Sequence, residues 1–99
     1  MPKLNEPIFK HLAASGAVTT DGKAGVLHGV YFNGATAADK LEIKDGATVV
    51  LTLLINTGLD PIIIFFPKGS RPIFTTDIDA TLTLTGTGFA TFIYEEIST

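Results

Sequence analysis

Apolar and polar residues alternate along much of this chain with a period of two, the pattern of strands that hide one face and wet the other. Lys40–Lys44 shows it most cleanly: Leu41 and Ile43 fall on one side, Lys40, Glu42 and Lys44 on the other. Ala80–Thr85 repeats it, with Leu82 and Leu84 directed inward and Thr81, Thr83 and Thr85 outward. Ala47–Asn56 is the longest predicted strand. Val49, Leu51, Leu53 and Ile55 make one continuous apolar face, and Val50, Thr52, Leu54 and Asn56 make the other. In Gly25–Phe32 the alternation sets Val26, His28, Val30 and Phe32 against Leu27, Gly29 and Tyr31. In Phe89–Glu96 it sets Phe89, Thr91 and Ile93 against Ala90, Phe92 and Tyr94.

Ile62–Phe66 has no polar side at all. Its residues are β-branched or aromatic, and Pro61 and Pro67 close it at both ends, which favours a short strand over a helix. Pro72–Thr75 and Ala17–Thr20 read as short strands, and Ile8–Ala14 as either a strand or one helical turn. Turn signals punctuate these runs at nearly even spacing: Asp21-Gly22, Asn33-Gly34, Asp45-Gly46, Thr57-Gly58, Lys68-Gly69 and Gly86-Thr87-Gly88. Asn-Gly and Asp-Gly favour hairpins because both residues take φ > 0 at low cost. Short strands at roughly 8–12-residue spacing indicate a sandwich or barrel. The expected fold is all-β: a seven- to eight-stranded antiparallel β-sandwich, jelly-roll-like, which leaves few long edges open.

The 99 residues are read as one domain over residues 8–99, preceded by an extended arm over residues 1–7. A chain of this size buries roughly 65% of its unfolded surface, enough for one core. The arm, with Pro2, Lys3, Leu4, Asn5, Glu6 and Pro7, carries two prolines and two charges and has no apolar run, so it is not read as a signal peptide. No stretch approaches the ~18 apolar residues of a membrane-spanning helix. Seven basic and ten acidic residues give a net charge of −3 with no basic stripe, which argues against nucleic acid as a partner. The chain has no cysteine, so disulfide, zinc-thiolate and thiol chemistry are excluded.

Candidate chemistry is sparse. Ser15, Ser70 and Ser98 lie in no nucleophile-elbow context. His11 and His28 are isolated, and His28, between Val26 and Val30, reads as a half-buried, hydrogen-bonded histidine. Asp77 and Asp79 share one strand face if extended; a solvated connection is the plain reading and a calcium site the alternative. Gly86-Thr87-Gly88 sits between strands with no following lysine, so it is a turn and not a phosphate loop. Lys68 and Arg71 are surface cations of a loop, and Glu95-Glu96 ends the last strand with charge. No catalytic residue, cofactor site or metal site is expected.

What remains is a surplus of apolar strand surface. Charged residues are 17% of the chain, against the ~25% usual for a soluble domain. A small domain has much surface and should be more polar than average, so part of this apolar content is expected outside. Val50, Leu54, Ile63, Phe65, Phe92 and Tyr94 are the candidate oligomer interface, buried in a homo-oligomer, with a trimer favoured. An unusually large core is the alternative.

Two stretches carry a resemblance. Ala24-Gly25-Val26-Leu27-His28-Gly29-Val30 with Leu41-Glu42-Ile43-Lys44-Asp45-Gly46 is one. Ile73-Phe74-Thr75-Thr76-Asp77, continuing to Thr83-Leu84-Thr85-Gly86-Thr87-Gly88-Phe89-Ala90-Thr91-Phe92-Ile93-Tyr94, is the other. Over residues 15–96 the chain resembles small β-rich virion proteins of tailed phages. It departs from them at Thr75-Thr76-Asp77-Ile78, where a Thr-Gly-Leu-type connection is commoner. The resemblance implies a non-enzymatic structural virion component, foremost a capsid decoration (cement) protein. Its implied partners are further copies of itself and the major capsid protein or another virion protein. Its implied place is the capsid surface, after synthesis in the bacterial host cytoplasm. Residues 2–7 would then be a capsid-contacting arm. The rival reading is a tail, fibre, receptor- or carbohydrate-binding module.

Overall fold

A computed structural model describes residues 7–20, 22–55 and 60–97. Among the described residues nine strands follow in order: β1 (Ile8–Leu12), β2 (Gly16–Ala17), β3 (Gly25–Asn33), β4 (Lys40–Asp45), β5 (Thr48–Leu54), β6 (Ile62–Phe65), β7 (Ile73–Phe74), β8 (Ile78–Thr83) and β9 (Phe89–Glu96). They form two antiparallel sheets packed as a β-sandwich. One runs β1-β9-β3-β6 with β7 also on β3; the other runs β2-β8-β4-β5. This interleaving, in which most connections cross from one sheet to the other, is the strand order of a jelly roll. The count exceeds the expected seven to eight because Ile8–Leu12, readable in the sequence as a strand or a helical turn, is a strand.

The turns behave differently from their dipeptides. Among the turn signals within the described residues only Asp45-Gly46 closes a hairpin, joining β4 directly to β5, with Gly46 at φ 63°; Asp21 and Thr57-Gly58 lie outside the described residues. Asn33-Gly34 and Gly86-Thr87-Gly88 instead lead from one sheet to the other. Gly34 is required by packing: a Cβ there would stand 2.5 Å from Ile55 Cγ1 and 2.9 Å from Asp39 Cβ.

The core lies between the sheets. Leu27, Val30, Phe32, Phe74, Ala90, Phe92 and Tyr94 from the five-stranded sheet meet Leu41, Ile43, Leu53, Ile55, Ile78 and Ala80 from the other region. Leu82 and Leu84 point inward and pack against it, as their alternation predicts. The alternation of β3 is broken. The register against β9 shifts between Leu27 and Gly29, so His28 is an extra, bulged residue. Past the bulge the phase inverts, and Leu27 joins Val30 and Phe32 in the core while Val26 does not.

Carboxylates fasten the loops. Asp39, 1% exposed, accepts Ala35 N–H and Thr36 N–H on Oδ2 and Thr85 N–H on Oδ1, each at 3.0 Å. It thereby ties the β3–β4 crossover to the end of β8. Burial alone would raise its pKa, but the N–H groups of Thr85, Thr36 and Ala35 more than offset this and hold it below the usual value. Asp45 accepts Thr76 N–H at 2.8 Å and Thr75 N–H at 3.0 Å, while Asp77 accepts Gly46 N–H at 3.0 Å. The Thr76 and Thr75 bonds outweigh burial and depress the Asp45 pKa. Glu96 is depressed chiefly by the Thr20 N–H it accepts at 2.6 Å.

All three groups have folded-state pKa values below their unfolded ones. Each therefore contributes stability above its unfolded pKa and loses it as pH falls through the lowered folded value. The thermal midpoint is expected to be level near neutrality and to fall once pH drops below about 4, the ordinary carboxylate value. A scan of thermal unfolding against pH checks this; a midpoint that holds or rises on acidification contradicts it.

Candidate functional site

The two outer faces of the sandwich differ sharply. On the four-stranded sheet, cross-strand rows read Thr83–Lys40–Leu54, Thr81–Glu42–Thr52 and Asp79–Lys44–Val49. This is an ordinary wetted face, apolar only along β5. On the five-stranded sheet, Phe65, Gly29, Ile93 and Phe9 line one row across β6, β3, β9 and β1. Ile63, Tyr31, Thr91 and His11 line the next. Asn33 and Phe89 pair beyond them, and Ile73, Val26 and Glu95 meet at the other end. Glu95 is the one acidic residue in these rows, and they hold no lysine or arginine. Phe9 is 69% and Phe65 68% exposed, with Ile63 and Ile73 also well exposed.

Local sequence explains how this face is held. Gly29 has no side chain, and a Cβ there would lie 2.7 Å from Phe65 Cδ1, so the glycine lets the Phe65 ring close over the β3 backbone. The His28 bulge turns its imidazole to Glu95, with Nε2 2.5 Å from Oε1. His28 is thus half-buried and hydrogen-bonded, and the one carboxylate of the face is paired. Its backbone carbonyl accepts Phe66 N–H at 2.8 Å, anchoring the end of β6. At the opposite end Phe89 stacks between His11 (ring centroids 5.0 Å apart) and Tyr31 (5.7 Å), and His11 Nδ1 lies 3.3 Å from Thr91 Oγ1. Beside them is an open groove of about 370 Å³ lined by His11, Asn33, Thr87 and Phe89 and by the backbone of Gly34 and Gly88.

The six candidate interface residues do not form one patch. Ile63 and Phe65 lie on the outer face of the five-stranded sheet. Val50 and Leu54 lie on β5, the edge strand of the other sheet, exposed there together with Val49. Phe92 and Tyr94 are corrected: at 0% and 5% exposure they belong to the subunit's own core. The reason is the register of β9, which turns Ala90, Phe92 and Tyr94 inward and Phe89, Thr91 and Ile93 outward. Thr91 is the sequence signal for this, as the threonines of β8 are for theirs. Phe9, Ile73 and Ile93 complete the apolar face and are absent from the predicted set. Of the arm residues, Pro2, Lys3, Leu4, Asn5 and Glu6 lie outside the described residues, and Pro7 is exposed ahead of β1.

Asp77 is engaged by Gly46 N–H, and Asp79 Oδ1 by Ala80 N–H at 3.1 Å, so the pair serves local backbone. Among the described residues no group of three or more His, Cys, Asp or Glu side chains is placed to hold a metal ion. No family model, no curated protein and no solved structure matches the chain.

Proposed function

We propose that this chain is a non-enzymatic structural protein of a tailed-phage particle, acting as a capsid decoration (cement) protein that self-associates on the head surface. The observation that carries the reading is the outer face of the five-stranded sheet. An antiparallel sheet normally wets its second face, and exposed apolar patches beyond a few hundred Å² mark interaction surfaces. Exposed Phe9, Ile63, Phe65 and Ile73 dominate this face, its polar members His11, Thr91 and Asn33 are uncharged or paired locally, and its one carboxylate is already paired. The resemblance over residues 15–96 supports the virion setting. Mechanically, each subunit buries apolar surface against its neighbours, and several weak contacts to the lattice add through multivalency. The segment Met1–Pro7 is the proposed capsid-contacting arm.

A second reading, a tail or receptor-binding module, draws on the groove beside His11 and Phe89, whose volume falls in the ~300–1,000 Å³ range of small-molecule sites. One experiment separates the two. Purified capsids lacking this protein are mixed with the full chain and with a chain starting at Ile8, then pelleted. Decoration expects the full chain to co-pellet and the shortened chain to bind more weakly. Binding to host cells or tail tips, with none to capsids, replaces decoration by the second reading.

A further inference from the structure

The two outer faces of this subunit are opposite in character. The rows crossing the four-stranded sheet carry Lys40, Glu42, Lys44 and Asp79. Those crossing the five-stranded sheet carry exposed Phe9, Ile63, Phe65 and Ile73. Their one carboxylate, Glu95, already has His28 as its partner within the subunit.

From this contrast we infer that the occupant of the five-stranded face is the same face of a second copy, packed across a two-fold axis. This rests on the self-association proposed above and names its partner and symmetry: a closed pair of chains, in place of the trimer favoured from sequence. An isologous contact sets one patch against itself, so a free charge near the axis meets its own copy and repels it. The four-stranded face would have to bury Lys40, Glu42 and Lys44 in such a contact. The rows of the five-stranded face hold no lysine or arginine, and nothing in them opposes self-contact. The relief suits it as well. Without a side chain at Gly29, the Phe65 ring closes over the β3 backbone, which keeps the middle of the face low. Sheets that pack face to face lie ~10 Å apart, so low relief favours sheet on sheet.

The areas decide between the apolar patches. The exposed parts of Phe9, Ile63, Phe65 and Ile73 amount to on the order of 1,000 Å² over two copies, taking ~200 Å² for a whole large side chain. Apolar atoms make up about 57% of an ordinary interface, so the whole contact is about 1,800 Å², inside the ~1,200–2,000 Å² of stable specific interfaces. Val49, Val50 and Leu54 on β5, set against their own copies, give about 1,000 Å² and fall short. The five-stranded face set on β5 gives about 1,400 Å², less than face on face, and leaves one apolar face open at the end of every row of copies. Face on face closes after two chains. The pair then has four stacked sheets, with the charged rows of the two four-stranded sheets outermost.

Sedimentation equilibrium of the full chain and its variants tests this, each variant first checked for folding by thermal unfolding. The wild type is expected at twice the mass of one chain. Phe65→Asp puts a carboxylate on both sides of the contact and is expected to weaken pairing by about a hundredfold or more, leaving single chains at micromolar concentration. Ile63→Asp is expected to do the same and takes its place if Phe65→Asp does not fold. Leu54→Asp, on β5, is expected to keep the pair. A two-fold contact needs an intact face on both partners. Labelled wild type, diluted until its own pairs dissociate, is therefore mixed with excess Phe65→Asp, and the label is expected to stay at the mass of a single chain. A mixed pair would show that the face meets some other surface, and the two-fold contact would be wrong. A wild type that closes at three chains, or a Leu54→Asp variant that is monomeric while Phe65→Asp still pairs, also overturns it while self-association stands. A monomeric wild type overturns both proposals.

Discussion

Replacing Phe92 by alanine is expected to cost the subunit about 3–5 kcal/mol of folding stability, the usual range for a large aromatic truncated in a core. Its neighbour Ile93, replaced in the same way, is expected to cost the isolated subunit far less. The difference comes from strand register alone. Phe92 pairs with Val30 of β3, is fully buried, and fills the space between the sheets. Ile93 pairs across from Gly29 and Phe9 on the outer face, where the only packing it loses is lateral. Typical domains hold only ~5–15 kcal/mol in all, so Phe92→Ala brings the fold close to its limit. Urea unfolding of both variants measures this. Equal losses would show that the two faces of β9 have been assigned the wrong way round.

The second large effect is expected at Asp39. Its carboxylate satisfies three backbone N–H groups from two loops that no ladder reaches. Asparagine is nearly the same shape but brings a donor. If its oxygen keeps Ala35 and Thr36, its NH₂ faces the Thr85 N–H, and two donors meet. Asp39→Asn is therefore expected to lower the thermal midpoint clearly, and Asp39→Ala to lower it further by leaving all three donors unpaired. Gly34→Ala belongs with them, because its new Cβ would collide with Ile55 and with Asp39 itself. Asp45→Asn should be milder, since its partners Thr75 and Thr76 are exposed and water can replace it. Thermal unfolding of the four variants gives the order. If Asp39→Asn matches wild type, the loop cage contributes no stability.

Much of the fold was legible in the alternation. Leu41 and Ile43, Leu53 and Ile55, and Leu82 and Leu84 all point where a period of two puts them, because these stretches run regularly with one wet face; Val49, expected on the face of Leu51, Leu53 and Ile55, is instead turned outward, opposite Lys44, by the extra residue Val50 in β5. β3 was not legible past Leu27. A bulge adds one residue without changing the composition, and only the neighbouring Gly29 hints at it. The dipeptide turns located the strand ends but not the connections. Asn-Gly favours a hairpin locally, yet here the next strand, β4, must reach the other sheet, and tertiary packing of Gly34 decides. Asp39 was overlooked because a polar residue after a run of small ones reads as loop surface, whereas its role depends on Thr85, far along the chain.

The candidate site was half legible. Val50, Leu54, Ile63 and Phe65 are exposed as an interface requires. Phe92 and Tyr94 are not, since both faces of β9 carry aromatics and hydrophobicity alone does not choose between them. Phe9 was hidden in a stretch too short to type as strand or helix. The structure adds the separation of the apolar surface into a face and an edge, which no period along the chain reveals.

The most direct test is the mass of the unmodified protein in solution. Sedimentation equilibrium from micromolar concentration upward is expected to give a closed species near twice the 10.5 kDa chain, with no growth at higher concentration. A 10.5 kDa species that persists and stays soluble across the whole range would contradict an apolar sheet face built to meet another copy.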